Sequence, residues 1–194
     1  MNNIKEKKIS AYNYKPEIDS LRAIAVSLVI LFHFEIFIFK GGFVGVDIFF
    51  VISGYLITKI VCTQIDTKKF NFINFYLKRI RRIIPALSVT IIVSFLIGYY
   101  LLDPNHFERL SKSTLYSSFS LANIFFWSEN DYFDFAKHFK PLLHTWSLSV
   151  EIQFYLFWPI LLYFLKSYFN KNTKVAVSII IILSMIVSFI YSPR

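Results

Sequence analysis

The chain has 194 residues, 56% of them hydrophobic, with 23 Phe, 12 Tyr and a formal charge of +9 at neutral pH. A soluble domain of this length carries more charge and shows amphipathic segments, so the long apolar runs here exclude that class. The one cysteine, Cys62, excludes an internal disulfide and any multi-cysteine metal site, and no metal centre is expected.

Residues 1–17 read as a polar, cytoplasmic tail. They lack the apolar stretch of a signal peptide, and Lys5, Lys7, Lys8 and Lys15 sit before the first apolar run. Apolar runs at 23–39, 43–60, 83–102, 148–165 and 175–191 each approach the ~20 residues that cross ~30 Å of hydrocarbon. Lys40-Gly41-Gly42 makes an outer turn between the first two. Residues 64–82 return inside, carrying Lys68, Lys69, Lys78, Arg79, Arg81 and Arg82. The aromatic stretch 70–77, bordered by bases, predicts a short helix lying at the interface. Pro85 suits the first turn of the span that follows. Residues 114–127 are short for a crossing and hold Ser117, Ser118, Ser120 and Asn123, which predicts a re-entrant segment packed inside protein. Lysine placement agrees: re-entry puts Lys166, Lys171 and Lys174 inside, whereas a crossing would put only Lys137 and Lys140 there. The expected fold is an all-α polytopic membrane helix bundle of about five spans plus one short re-entrant segment. The chain stops just after an apolar run and reads as a fragment.

His33 lies in the middle of the first apolar run, with Arg22 eleven residues before it. On one helix they would fall within roughly 20° of the same face and about 16 Å apart. An ionisable group at membrane depth is costly and marks a functional site by default. Histidine changes protonation near neutral pH and can act as base or nucleophile; the bland alternative is a histidine bonded to a neighbouring helix. Asp19 is placed to pair with Arg22 as a helix-end ion pair, and Arg22 alone could simply snorkel. Asp47 follows Gly41-Gly42-Phe43-Val44-Gly45-Val46. The glycines would allow close backbone approach, and the acid could merely face a helix dipole. Ser53-Gly54 reads as a packing notch. Glu35, about 200° from His33, belongs to another face.

Lys78-Arg79-Ile80-Arg81-Arg82 could clamp phosphates, since guanidinium forks match phosphate oxygens. It could equally be a positive-inside signal in contact with anionic lipid. Nucleic acid is excluded as a partner, because these bases flank membrane spans. His144 and Glu151 are seven residues apart, roughly 20° off one face if the segment is helical throughout. Glu151 lies inside an apolar run and needs a partner. The alternative there is an interfacial aromatic belt of Trp146, Tyr155 and Trp158 around a buried polar pair.

Four stretches resemble the membrane acyltransferase-3 family, bacterial O-acyltransferases that modify surface carbohydrates. They are residues 18–25 (IDSLRAIA) leading to His33, 41–58 (GGFVGVDIFFVISGYLIT), 75–87 (FYLKRIRRIIPAL) and 144–159 (HTWSLSVEIQFYLFWP). The family's Arg-x10-His motif falls on Arg22 and His33, and its Arg-x-x-Arg motif on Arg79 and Arg82. The resemblance implies an acyl-CoA donor, usually acetyl-CoA, used as substrate from the cytoplasmic side, with no permanently bound cofactor. The acceptor would be a hydroxyl of lipopolysaccharide, peptidoglycan or exopolysaccharide beyond the outer face of a bacterial cytoplasmic membrane. It implies that Arg79, Arg82 and Lys78 hold CoA phosphates, that Arg22 orients the thioester, and that His33 is base or acyl carrier. Glu151 and His144 would assist, with Asp19, Asp47 and Ser53 in support. Residues 18–194 would be the N-terminal part of the membrane domain. Where the family often has two adjacent glutamates this chain has Glu151-Ile152. Residues 131–134 and 144–151 look most like members bearing an outer SGNH-type domain. The competing class is a transporter or scaffold half in which His33 relays protons.

Overall fold

The computed structural model describes residues 16–129, 140–169 and 172–191. The elements are α1 (Pro16–His33), a 3-10 turn (Phe37–Phe39), α2 (Val44–Asp66), α3 (Phe72–Leu101), α4 (Pro104–Ser118), α5 (Ala122–Ser128), α6 (Thr145–Phe169) and α7 (Thr173–Tyr191). Four of these helices are long and apolar enough to cross a membrane: α2, α3, α6 and, over Thr173–Ile190, α7. The chain is an all-α protein of the membrane helix-bundle class, as expected.

The first apolar run is not one straight span. α1 ends at His33, and the chain then turns through Glu35, whose φ is 55°, into the 3-10 turn. Glu17, Asp19 and Arg22 occupy its first turns, leaving about 15 Å of apolar helix from the ~1.5 Å rise per residue. His33 therefore terminates a helix rather than sitting midway along one.

A separate interfacial helix over 70–77 is also absent. Asn71 caps α3, its Oδ1 accepting from Asn74 N at 3.0 Å, and the helix then runs unbroken for 30 residues. That length is about 45 Å, well over the ~30 Å of hydrocarbon. The basic cluster thus lies in the first half of α3, ahead of its apolar stretch. Pro85 is inside this helix rather than in its first turn, so the Arg81 carbonyl loses its usual i+4 donor.

The stretch 114–127 is not a single element. α4 closes at Ser118 in a Schellman turn: Leu121 N donates to Tyr116 O (2.8 Å) and Ser120 N to Ser117 O (3.0 Å), with Ser120 at φ 57°. The short α5 follows. The same turn ends α2, with Lys68 at φ 54° and Lys69 N donating to Gln64 O at 2.8 Å. No glycine marks either corner, which is why the sequence hid them.

The chain forms two compact units, Met1–Leu56 and Ile57–Arg194. In the first, α1 packs on α2 through glycine. A Cβ on Gly45 would sit 2.4 Å from Ala25 O, and one on Gly42 2.3 Å from Leu28 O. The close approach expected of these glycines is present. In the second unit, Ile57, Val61, Phe75, Tyr155 and Leu162 form the core. Trp158 Nε1 donates to Thr58 Oγ1 (2.7 Å) and Tyr76 Oη to Leu156 O (2.9 Å). Lys166 Nζ donates to Cys62 O (3.2 Å) and Asp66 Oδ1 (2.5 Å). α4 meets α3 at Gly98, where a Cβ would come within 2.2 Å of Leu110.

Candidate functional site

In the first unit, Arg22 and His33 share the single helix α1, so their eleven-residue spacing does set them on one stripe. Arg22 does not pair with Asp19. Its guanidinium lies over the Phe49 ring, Cζ 5.4 Å from the centroid, one helical turn beyond the Ala25–Gly45 contact. Its Nε is sealed from solvent with no hydrogen-bond partner among the described residues. A buried donor of this kind is costly and calls for an acceptor. His33 is exposed, bonds Val29 O through Nδ1 at 2.7 Å, and meets Phe32 edge-on at 5.2 Å between ring centroids. Asp19 and Asp47 are exposed in the first turns of α1 and α2, whereas Ser53 is buried on α2.

In the second unit, Lys78, Arg79 and Arg82 stand on the first half of α3. Lys78 and Arg82 are exposed. Arg79 is half-buried, its Cζ 4.1 Å from the Phe75 ring centroid, a cation–π contact that fixes the guanidinium against the helix. On α6, Glu151 accepts from the Tyr155 hydroxyl, so the partner that its position demands is four residues along the same helix. α6 starts at Thr145, and His144 lies exposed in the turn before it. The face shared by His144 and Glu151 therefore lacks the continuous helix it assumed. The aromatic belt is not one either: Tyr155 is buried and Trp158 is tied to Thr58. Residues 131–134 lie outside the described residues.

Sequence reasoning missed a polar ladder on α6. Thr145, Ser149 and Gln153 recur every four residues and face α4 and α5. Thr145 Oγ1 donates to Leu142 O (2.6 Å), so Ser117 Oγ must donate to Thr145 at 2.8 Å. Ser149 Oγ donates to Thr145 O (3.0 Å) and accepts from Ala122 N (3.2 Å). Gln153 Nε2 donates to Ser120 O (2.9 Å) and Asn123 Oδ1 (3.0 Å), and its Oε1 accepts from Asn123 Nδ2 (3.2 Å). At the far end of α5, Arg109 forks onto both Glu129 oxygens at 2.9 Å. The readable signal is the Thr-x3-Ser-x3-Gln spacing of α6, which complements the serines of 114–127.

At the start of α4, Asp103 accepts from His106 N (3.2 Å) and Asn105 N (3.0 Å), and its other oxygen pairs with the His106 ring. The His106 backbone bond, then the ring bond, holds the Asp103 carboxyl below its ordinary value of 3.8.

No solved structure matches this chain. Among curated proteins it is 43% identical over 176 residues to "Peptidoglycan O-acetyltransferase OatA" of Listeria monocytogenes, covering 89% of this chain and 28% of that protein. It is 35% identical over 193 residues to "Putative peptidoglycan O-acetyltransferase YrhL" of Bacillus subtilis, covering 96% and 30%. It is 36% identical over 170 residues to "O-acetyltransferase OatA" of Staphylococcus aureus, covering 85% and 27%. The chain thus spans under a third of the length of these relatives. The acyltransferase domain family matches residues 15–191, nearly the whole chain, and this protein belongs to that family.

Proposed function

We propose that this chain supplies part of the membrane domain of an O-acetyltransferase, which moves an acetyl group from acetyl-CoA to a hydroxyl of peptidoglycan. The observation that carries the reading is the family match over 15–191, joined to the printed activities of the relatives. The N-terminus is cytoplasmic in this reading, and membrane lipid surrounds α2, α3, α6 and α7.

The residues take the following parts. Arg79, Arg82 and Lys78 hold the donor phosphates from the inner side. The Arg79–Phe75 contact supports this, because a guanidinium already stripped of part of its water loses less on meeting an anion. Arg22 orients the thioester end, and its buried Nε, which has no hydrogen-bond partner among the described residues, is the donor that such an acceptor would satisfy. His33 takes the proton of the attacking hydroxyl or carries the acyl group in transit. Its exposed place at the end of α1 leaves the ring accessible to a substrate. Glu151 assists from α6 as a base or by orienting a hydroxyl, with His144 beside the helix start, and Asp19, Asp47 and Ser53 support α1 and α2.

The test uses the whole protein in native membranes with radiolabelled acetyl-CoA. Replacing Arg79 and Arg82 with Gln should raise the donor KM, each charge-assisted bond being worth ~1.5–3 kcal/mol. Lys should rescue only partly, since the fork is lost. His33→Ala should abolish transfer with insertion intact. Unchanged donor affinity in the arginine variants, with altered topology instead, would reduce the cluster to an orientation signal and sink the assignment.

A further inference from the structure

Glu151 and Tyr155 are four residues apart on α6, so they stack on one face. The Tyr155 hydroxyl donates to Glu151 Oε1. Tyr155 has little freedom of its own. It is 9% exposed, and its ring belongs to the core built with Ile57, Val61, Phe75 and Leu162. Phe75 is also the ring on which the Arg79 guanidinium rests, its Cζ 4.1 Å from the centroid. One side chain thus touches the carboxylate and, through Phe75, the donor-binding arginine. A belt tyrosine would turn its hydroxyl to water or headgroups. This one turns it to a carboxylate on an apolar helix.

We infer that Tyr155 is a positioning residue for the transfer reaction. Its hydroxyl fixes the rotamer of the Glu151 carboxylate, and its ring holds that carboxylate in register with the Arg79 end of the site. The inference rests on the reading of Glu151 as a carboxylate that assists the transfer. Charge-assisted hydrogen bonds to carboxylate are short and directional, so the phenol restrains the position of Glu151 Oε1. Four backbone steps on a rigid helix fix the distance. A phenylalanine there would keep the packing and lose the orientation.

The experiment is a cycle of Tyr155→Phe, Glu151→Gln and the double variant, in the whole protein in native membranes. It reads release of CoA and glycan O-acetylation per folded molecule. Tyr155→Phe should lower kcat about ten- to a hundredfold, the loss expected of one charge-assisted hydrogen bond, while the donor KM stays within about twofold. The double variant should be no slower than Glu151→Gln alone, because the hydroxyl acts only through that carboxylate. Leu162→Ala, which loosens the same core without touching the hydroxyl, should lower the melting temperature and leave kcat per folded molecule in place. If Tyr155→Phe keeps kcat, if its loss multiplies that of Glu151→Gln, or if Leu162→Ala reproduces the loss, the inference is overturned while the role of Glu151 stands. If Glu151→Gln is fully active, both readings fall.

Discussion

Gln153→Leu tests how the α4–α5 corner is held on α6. Leucine has nearly the same volume, so the packing defect is small. The polar loss is specific: the variant strips one hydrogen bond from Ser120 O and one from each end of the Asn123 amide. Polar bonds between membrane helices average about 0.6 kcal/mol each, which sets a floor near 2 kcal/mol for three. Orphaned buried groups cost about 1–3 kcal/mol each, which brings the expected loss to about 2–4 kcal/mol once Asn123 partly repairs itself. The bond from Gln153 to the Ser120 carbonyl helps hold Ser120 at its left-handed φ of 57°. The assay is equilibrium unfolding of the purified chain in mixed micelles, followed by tryptophan fluorescence. Trp127 and Trp146 lie on the two elements that the ladder joins. Asn123→Leu should cost less, about 1–2 kcal/mol by the same reasoning. The double variant should be more stable than the sum of the two predicts, because the amide pair is then removed from both sides. Gln153→Leu within about 0.5 kcal/mol of the parent, or strict additivity in the double variant, would refute the ladder as the element that docks α5.

Three further outcomes follow from other contacts. Gly45→Val should destabilise the α1–α2 packing by about 1–3 kcal/mol or more, since its Cβ would meet Ala25 O at 2.4 Å and Val29 Cγ2 at 2.8 Å; thermal unfolding of the purified chain checks it, and a wild-type midpoint would contradict the close approach. Asp103, held below 3.8 by His106, stabilises α4 most fully above that value and progressively less as pH falls through its folded pKa; the stability of the parent against unfolding should fall on acidification below about pH 4, and Asp103→Ala should flatten that dependence. In a Cys62→Ser background, a cysteine at position 131 should react with an impermeant thiol reagent added to intact cells and one at 171 should not; the reverse pattern would make 114–127 a true crossing rather than a re-entrant segment.

What the sequence alone determined was set by one-dimensional patterns. Apolar runs near twenty residues long made the chain a helical membrane protein, because hydrocarbon offers no partner for an unpaired backbone. Glycines at 42 and 45 announced a close helix contact because no other residue leaves room for a carbonyl at that distance. Arg22 and His33 were legible as a stripe because helical geometry converts spacing into direction. Tertiary structure decided the rest. Hydropathy could not reveal that α1 stops at His33, because the turn after it is as apolar as the helix. It could not show the corners at Lys68 and Ser120, where backbone hydrogen bonds hold a left-handed residue without glycine. The partner of Glu151 was within reach at i+4, yet Tyr155 reads equally as an interfacial anchor. Only the packing of its ring beside Phe75 turns the hydroxyl inward. The α6 ladder was hidden for the same reason: Thr145, Ser149 and Gln153 gain meaning only when Ser117, Ser120 and Asn123, some thirty residues earlier in the chain, are brought against them.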